Sequence, residues 1–549
     1  MVQPTRPIKR GGWNEKNPVR FPVFDGPESV APEQTFEVAF WLSLESQTPE
    51  VLTEAERSQR LAKRTDDGGI EFQLPQQDGG WTFTARLMAP GFDIVSGKKV
   101  QDVFVPADTD MEPLLFTLRA RKGEAIQRRI QMTLWHEGAF VSRFTKSVQV
   151  AQPSSTLMMV HDQPVAEVQA QDSIGVTLNL RRIEPDLTVY LLYDDPGKLG
   201  SGDIIVASPH LAQSAADGAF STPPDSVEWL DQRLSAVTAL GRKARGVEVI
   251  ETDTGYRTES EATLRGLGCE IYARLAPPQF KQVFQALAKR SDLDSIQIYT
   301  NNPLIPWEIM VPSDNCADAS ATFLGVKYRI GRLLSDSNRP ADEALSNILP
   351  IEKITAIAPA YASSASLAFQ DREVKFLSAY KGYNRLQGSK AAVIQSMQSG
   401  ISGILHFAGH GAVARTEGGI PLYLVELEDG SLDPDTWKGA AAPSAANMII
   451  FFNACDVGQA DFGVGSLMGW APASLSAGAR GFIGGLWPVF DRAAADATER
   501  FYSALLKERT GYVTAALRNV RARYAETGDP SYLAYAFYGD VNLMTEREE

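Results

Sequence analysis

Six stretches near the start of the chain alternate apolar and polar residues with a period of two. This period places the apolar side chains on one face of a β-strand. Turn-forming residues separate the stretches, as in QDGGW and PADTDMEP. Short alternating strands at this spacing predict an all-β, sandwich-like domain. The predicted strands are 36–44, 81–89, 102–107, 113–121, 129–137 and 140–150.

A second region contains apolar strands, such as IGVTLNL at 174–180 and LTVYLLY at 187–193, and one clear helical pattern. The strand SIQIYT should end before Pro306, because proline cannot extend a central sheet ladder. Residues 207–227 are rich in Ala, Ser and Pro and are expected to form a loop. The sequence PPQFKQVFQALAKR predicts a helix with one apolar face, formed by Phe280, Val283, Phe284 and Leu287.

From Lys353 onward, apolar strands alternate with helical segments. The strands are ITAIAPAY, GILHFAG, MIIFFNAC and ARGFIGGLW, and the helices are expected at Asp371–Tyr380, Lys390–Ser399, 512–525 and from an N-cap at Asp491 to Arg509. This alternation predicts a mostly parallel sheet flanked by helices. With linkers at 151–156 and 338–353, we expect an N-terminal β domain at 1–150, a middle α/β module at 151–340 and a strand–helix domain at 341–549.

Composition narrows the class of function. The 549 residues carry a net charge of −14 and a pI near 5.1, which disfavours a nucleic-acid partner, because phosphate neutralisation drives most of that binding. The basic N-terminus lacks the apolar run of a secretory signal, and no uncharged stretch is long enough to span a bilayer. The three cysteines lie far apart, so neither a disulfide framework nor a zinc ribbon is expected. We therefore expect a cytoplasmic protein that contacts no membrane.

Two strand ends carry reactive side chains, and ligand sites in parallel sheets lie beyond such ends. His406 and His410 have the spacing of a helical zinc site, but on a strand four residues span about 13 Å, too far for one ion. No glutamate stands between them as in H-E-x-x-H. The sequence therefore predicts no metal and no cofactor. It predicts a buried His406 and an accessible His410 at the strand exit.

Cys455 stands where the apolar run MIIFF gives way to the polar, glycine-rich DVGQADFGVG. A cysteine nucleophile reacts as the thiolate, and a nearby histidine raises the thiolate population and later protonates the leaving amine. His410 could supply that group from the neighbouring strand, with the backbone amides of Gly411 and Cys455 facing a developing oxyanion. A buried packing cysteine is the alternative, and the residues alone leave it open.

Several blocks together resemble the CHAT proteases, caspase-like proteins of the caspase–separase clan. The resemblance runs from about Leu264 to the C-terminus and rests on LIPWEIM at 304–310, HFAGHG at 406–411, FFNACDVG at 451–458, GARGFIGGLWPVFDRAAADATERFYSALL at 478–506, and AALRNVRARY followed by AYAFYGD. It implies a caspase-like α/β fold for 341–549. It further implies peptide hydrolysis through a thioester, with His410 as general base and acid and Cys455 as nucleophile.

The chain departs from the family's pattern at one position that bears on the P1 residue of the substrate. Some relatives that cleave after Arg or Lys have an Asp two residues before the cysteine, whereas this chain has Asn453. The resemblance therefore does not imply a basic P1 residue. Candidate S1 residues are Asn453, Asp456, Glu426 and Asp433, with solvated surface acids as the alternative for the last three.

The resemblance also implies a regulated prokaryotic protease in a defence or cell-death pathway. Its substrate would be a gasdermin-like or other effector protein, and an activating partner would bind through the N-terminal β domain. Two alternatives remain open. The chain could be a catalytically silent caspase-like scaffold or interaction protein. It could also be a flavodoxin-like small-molecule domain, although the loop after ITAIAPAY lacks the expected phosphate-binding glycine.

Overall fold

The alternating stretches form the N-terminal part of the structure. The computed structural model describes residues 19–44, 70–71, 79–122, 127–136, 139–150, 185–195, 198–211, 215–245, 254–313, 316, 318, 320–334, 348–362, 367–415, 421–441, 448–454, 460–463, 466–507 and 510–547. The strands up to residue 150 are β1 (Val19–Asp25), β2 (Ser29–Val30), β3 (Thr35–Ser43), β4 (Ile70–Glu71), β5 (Gly80–Met88), β6 (Phe92–Ser96), β7 (Val100–Pro106), β8 (Leu114–Ala120), β9 (Gln127–His136) and β10 (Ala139–Val150).

These strands form two sheets that share one apolar core. Within the described residues, one sheet has the order β4-β1-β3-β8-β6 and the other has the order β2-β10-β9-β5-β7. Side chains from both sheets, such as Phe40, Phe83 and Met132, are buried together. All six predicted strands are confirmed over their described residues, and side chains at alternate positions, such as Val38, Phe116 and Ile130, pack on this core.

The middle region contributes strands and helices. The strands are β11 (Leu187–Tyr193), β12 (Ser201–Ala207), β13 (Ala215–Ser221), β14 (Ser295–Thr300) and β15 (Arg329–Leu334). The helices are α1 (Ser226–Arg245), α2 (Thr254–Leu275), α3 (Pro278–Ala288) and α4 (Leu324–Lys327), with a 3₁₀ turn at Trp307–Ile309. The predicted apolar face of α3 is confirmed, since all four of its named residues are buried. The strand expected at 174–180 lies outside the described residues.

The remaining strands are β16 (Ile348–Ile351), β17 (Ile354–Ile357), β18 (Tyr383–Leu386), β19 (Gly403–Ala408), β20 (Gly411–Arg415), β21 (Pro421–Leu427), β22 (Gly430–Leu432), β23 (Met448–Asn453), β24 (Ala460–Gly463), β25 (Ser466–Gly469), β26 (Gly481–Gly485), β27 (Thr510–Tyr512), β28 (Tyr535–Gly539) and β29 (Met544–Arg547). The helices are α5 (Gln370–Leu377), α6 (Lys390–Ser399), α7 (Pro434–Ala440), α8 (Trp470–Ser476), α9 (Asp491–Leu505), α10 (Val513–Ala522) and α11 (Tyr524–Thr527), with a 3₁₀ turn at Pro530–Leu533.

One large sheet joins the middle and C-terminal regions. Among the described residues its order is β13-β12-β11-β14-β15-β28-β26-β23-β19-β17-β18. Most neighbouring pairs are parallel, whereas β12 with β11, β13 with β12, and β28 with β26 are antiparallel. The strands on both sides of the expected boundary at 340/341 thus lie in one sheet and contribute to one core. The prediction of a mostly parallel sheet with helices is confirmed.

Some sequence predictions are wrong. The expected loop at 207–227 contains β13, an edge strand that pairs with β12 and needs few apolar residues, and also the start of α1. The expected linker at 338–353 contains β16, which pairs with β29. The predicted N-cap Asp491 is instead the first helical residue of α9, and Phe490 occupies the N-cap position.

The central strands β19 and β23 are buried along their whole length. Parallel strands covered on both faces read as continuous apolar runs, which explains GILHFA and MIIFFN. His406 and Asn453 are the polar exceptions in these two runs. Within the described part of the chain, no helix is both long and apolar enough to span a membrane.

Candidate active site

The candidate reactive residues follow two neighbouring strands. Strands β19 and β23 are parallel, and Ala408 lies opposite Asn453 in their register. His410 follows Ala408 by two residues, and Cys455 follows Asn453 by two residues. The two strands therefore end at the same edge of the sheet, where parallel α/β folds bind ligands. Cys455 and Asp456 themselves lie outside the described residues.

Backbone and tyrosine contacts hold His410 at the strand exit. The His410 amide donates to Tyr361 Oη at 2.9 Å, and the Tyr361 hydroxyl donates to the Glu426 carbonyl at 2.8 Å. The Glu426 amide donates to the His410 carbonyl at 2.9 Å, which closes the ring of contacts. The tyrosine ring also packs on the imidazole, with 4.7 Å between ring centroids. Burial raises the pKa of Tyr361 to about 12, so its hydroxyl remains a donor at neutral pH.

Gly409 makes this arrangement possible. A Cβ at this position would lie 2.4 Å from Tyr361 Oη and 2.7 Å from the ring of Phe407. Both distances are shorter than van der Waals contact, so a larger residue would displace the tyrosine. The glycine before His410 is therefore required by close packing.

A cavity opens beside His410 at this sheet edge. It encloses about 440 Å³, open solvent included, between the ends of β19 and β23 and the first turns of α5 and α9. Its polar lining comprises Gln370, Glu373, His410, Asn453 and Asp491, and its apolar and glycine lining comprises Leu367, Ala408, Gly409, Ala454, Val489 and Ala494.

Asp491 places a half-buried carboxylate in this cavity. Its Oδ2 accepts a hydrogen bond from the Phe369 amide at 2.9 Å. Burial raises the pKa of Asp491, and the charge of Glu373 acts in the same direction, while the Phe369 amide and the charge of His410 oppose the shift. The net result is a raised pKa. The cavity thus presents an acid to any group that enters beside His410.

A buried polar cluster adjoins the cavity and shares Glu373 and Asn453 with its lining. In this cluster, Glu373 Oε1 accepts three hydrogen bonds. His406 Nε2 lies at 2.5 Å from this oxygen, Asn453 Nδ2 at 2.9 Å and Thr498 Oγ1 at 2.8 Å. His406 is fully buried, as predicted, and Glu373 is 3 % exposed. Since the asparagine amide can only donate here, the oxygen of Glu373 is an acceptor for all three groups.

The two ring nitrogens of His406 have different partners. Its Nε2 donates to Glu373, and its Nδ1 lies 3.1 Å from Tyr502 Oη. Burial raises the pKa of Tyr502 well above the ordinary tyrosine value, so this hydroxyl stays protonated and can donate to Nδ1. Both ring nitrogens of His406 are therefore hydrogen-bonded inside the core.

Asn453 is held from both ends of its amide group. Its Nδ2 also donates to the Ala494 carbonyl and to Thr498 Oγ1, each at 2.9 Å. Its Oδ1 accepts from the Tyr535 hydroxyl at 2.7 Å. The amide donates to Glu373 and accepts from Tyr535, whereas an ionised aspartate could only accept. This is a physical reason for asparagine rather than aspartate two residues before Cys455.

The other candidate S1 acids have local partners. Asp433 caps α7, where its carboxylate accepts from the Thr436 amide at 2.8 Å and from the Thr436 hydroxyl at 2.7 Å. Partial burial acts to raise the pKa of Asp433, but the hydrogen bonds from Thr436 outweigh it and the net pKa is lowered. The Glu426 carboxylate accepts from the Ser431 hydroxyl at 2.9 Å. Gly411, a candidate oxyanion donor, begins β20 opposite Val425.

The sequence analysis missed Glu373, Tyr361 and Asp491 as parts of this site. Glu373 stands four residues before the buried Leu377, so both residues lie on the inward face of α5. A charged residue on that face was the sequence signal that could have identified Glu373. Tyr361 was predicted to lie in the strand ITAIAPAY, but in the structure that strand ends at Ile357. No group of three or more His, Cys, Asp or Glu residues in the described ranges could hold a metal ion.

Solved structures that are similar to this chain share little sequence identity with it. Two crystal structures of the separase–securin complex of Saccharomyces cerevisiae are similar at 12 % and 13 % identity with TM-scores of 0.39 and 0.37. Each match covers 66 % of this chain but only 30 % of the separase-complex chain. A solved protease matches at 13 % identity over 52 % of this chain and 69 % of its own, with a TM-score of 0.34. A search of curated protein sequences found no match.

The family comparison covers the site directly. A family model, the CHAT domain, matches residues 271–537. This range includes both strand exits, the cavity and the buried polar cluster, together with α3, β14 and β15 from the middle region. Residues 271–537 of this chain therefore match the model of the CHAT domain, the family that the sequence blocks resemble.

Proposed function

We propose that this chain is a cysteine endopeptidase in which His410 is the general acid and base and Cys455 is the nucleophile. One observation carries the proposal. The register of β19 and β23 places Ala408 opposite Asn453, and each candidate residue follows its strand by two positions at the same sheet edge. The fixed backbone of His410 supports the same role, because a catalytic base must be held in position.

The proposed reaction uses groups of this chain alone. His410 accepts the thiol proton of Cys455, and the sulfur attacks the carbonyl carbon of the scissile peptide. The amides of Gly411 and Cys455 donate to the oxyanion of the tetrahedral intermediate. His410 then protonates the leaving amine as the C–N bond breaks, which leaves a thioester. His410 next accepts a proton from water, the hydroxide oxygen attacks the thioester, and the released thiolate recovers its proton.

We further propose that the cavity beside His410 receives the P1 side chain. Its apolar walls would bind the aliphatic part of a lysine or arginine, and the Asp491 carboxylate would pair with the charged end. Glu426 and Asp433, with their serine, threonine and helix-cap partners, remain secondary candidates for substrate contact. Asn453 would shape the floor of the pocket.

The biological setting is a proposal from the family resemblance. It is a regulated cytoplasmic protease of prokaryotic defence or cell death that cleaves an effector protein, gasdermin-like or otherwise. An activating partner would bind the N-terminal β domain. In support, that domain contacts the large sheet through Gly91, whose amide donates to Asp194 at 2.5 Å, and through the ion pair of Lys99 with Asp203 at 3.2 Å.

A peptide-library cleavage profile tests the proposed chemistry. We expect the wild type to cleave, with lysine or arginine enriched at P1, and His410→Ala and Cys455→Ala to be inactive. His210→Ala and Cys316→Ala are matched controls. His210 pairs with Asp186, and both residues are far in sequence from His410 and Cys455. Cys316 is exposed. Both controls should keep wild-type activity. Absence of cleavage in every variant would favour the silent scaffold instead.

A further inference from the structure

Three elements that carry the proposed reactive groups converge on one buried oxygen atom. His406 belongs to β19, which precedes His410, and Asn453 ends β23, which precedes Cys455. Thr498 belongs to α9, which begins at Asp491. All three donate to Glu373 Oε1, at 2.5, 2.9 and 2.8 Å.

We propose that Glu373 is a positioning residue that sets the distances between the base, the nucleophile and the acid of the cavity. The inference rests on the proposed function, because it assigns those roles to His410, Cys455 and Asp491. Glu373 acts through His406, Asn453 and Thr498, each of which lies within seven residues of a proposed functional group.

The convergence is rigid because it is buried and satisfied. Glu373 is 3 % exposed, His406 and Thr498 are 0 % exposed and Asn453 is 4 % exposed. Hydrogen bonds to a charged acceptor in such a site are shorter and roughly twice as strong as neutral ones. Loss of the acceptor would leave three buried donors without it, so the arrangement resists deformation. A positional error of about 1 Å at a reacting centre can reduce a rate about 100-fold.

Two conservative substitutions separate position from charge. Glu373→Gln keeps an acceptor oxygen at the same reach but removes the charge. The three donors would orient the new amide with its oxygen toward them. Glu373→Asp keeps the charge but is shorter by one methylene, so its oxygen cannot reach all three donors. Positioning therefore predicts that Gln is the milder change, whereas a purely electrostatic role predicts that Asp is milder.

A second contact between the same two helices provides the control. Arg372 of α5 binds Glu499 of α9 with two hydrogen bonds, at 2.8 and 2.6 Å. This pair also joins α5 to α9, but neither residue lines the cavity. Glu499→Gln thus perturbs the helix pairing without altering the cluster around Glu373.

The test measures kcat and KM with the best library peptide, per active site titrated with a peptide acyloxymethyl ketone. We expect kcat to fall about 100-fold in Glu373→Asp and about tenfold or less in Glu373→Gln, with KM little changed. Glu499→Gln should match the wild type. Thr498→Val, which removes one of the three donors, should give a smaller loss and serves if Glu373→Asp fails to fold.

The outcomes are distinct. The order wild type, Gln, Asp in decreasing kcat supports the positioning role. Wild-type kcat and KM in a folded Glu373→Asp or in Thr498→Val, or a milder Asp than Gln, overturns it while the proposed peptidase activity stands. A wild type that neither cleaves peptides nor reacts with the ketone at Cys455 overturns the proposed function, and this inference fails with it.

Discussion

The site contains two carboxylate–histidine pairs that differ mainly in burial. In the pair of Glu373 with His406, both side chains are inside the core and their nitrogen and oxygen lie 2.5 Å apart. The other carboxylate and histidine, Asp491 and His410, both line an open cavity, and the charge of His410 acts to lower the pKa of Asp491. The two histidines are only four residues apart on one strand and its exit.

This difference in burial separates a structural role for His406 from a chemical role for His410, although both belong to one strand and its exit. A buried histidine with both ring nitrogens occupied cannot exchange protons with a substrate, so His406 contributes to structure. A histidine beyond the strand end, held by its backbone, leaves its imidazole beside the cavity. The buried pair should therefore control stability and geometry, and the cavity pair should control chemistry and specificity.

The largest expected effect is on the buried side. Asn453→Asp would place a second carboxylate against Glu373 Oε1, where the amide now donates at 2.9 Å. We expect the free energy of unfolding to fall by about 3 to 5 kcal/mol at pH 8, because an unpaired buried charge is strongly destabilising. Chemical denaturation measures this change.

The same variant has a predictable pH dependence. The repulsion and burial would raise the folded-state pKa of the new carboxyl above its unfolded value. Its destabilisation should therefore shrink as the pH falls through that raised pKa and the group becomes neutral. Asn384→Asp on the exposed strand β18 is the control and should change stability by less than about 0.5 kcal/mol. Equal effects of the two variants would contradict the account.

An intermediate effect is expected on the cavity side. Asp491→Asn should reduce the preference for lysine or arginine over a neutral P1 residue by about 10- to 100-fold, the loss of one charge-assisted contact. Because the pKa of Asp491 is raised by burial and by Glu373, this carboxylate should lose its charge at a higher pH than an ordinary aspartate. The wild-type preference for a basic P1 residue should weaken as pH falls through that raised pKa.

The free energy of unfolding should respond to Asp491→Asn differently from the P1 preference. A carboxyl whose folded pKa is raised contributes stability at low pH that is lost as the pH rises through the folded pKa. At neutral pH, Asp491→Asn should therefore not lower the free energy of unfolding. Cleavage of paired peptides at several pH values, with a melting curve of each protein, measures both effects. A preference that ignores both pH and residue 491 would contradict the proposed pocket.

The smallest expected effect separates a helix cap from a substrate contact. Asp433→Ala removes the cap of α7, which should lower the free energy of unfolding by about 1 kcal/mol. Asp433→Asn keeps a capping oxygen and should restore most of that stability. We expect neither variant to alter the P1 profile, so a changed profile in both would identify Asp433 as a substrate residue.

Much of the fold was predictable where burial follows a regular period. The alternating strands of the N-terminal domain and the apolar face of α3 were located correctly. Helix α2 was missed because polar and small residues occupy some of its buried positions. Ser260 is buried while its hydroxyl donates to the Gly528 carbonyl at 2.6 Å, and Gly268 packs against the backbone of Ile309. Neither residue looks like part of an apolar face.

The site was predictable only where its residues follow strands. His410 stands out because a glycine-flanked histidine ends an apolar run. Glu373 and Tyr361 come from other segments, and only the packed fold brings them to β19 and β23. The chain separation of Glu373 from Asn453 is 80 residues, so no local pattern connects them.

Labelling of cysteines with a peptide acyloxymethyl ketone of mixed P1 residues tests the central claim most directly. Cys316 is exposed, and burial raises the pKa of Cys269 to about 12, so these two thiols are internal references. Mass spectrometry of the wild type should find the label on Cys455 before either reference, and His410→Ala should abolish that preference while His210→Ala retains it. Equal labelling of Cys455 and Cys316, or unchanged labelling in His410→Ala, would contradict the account.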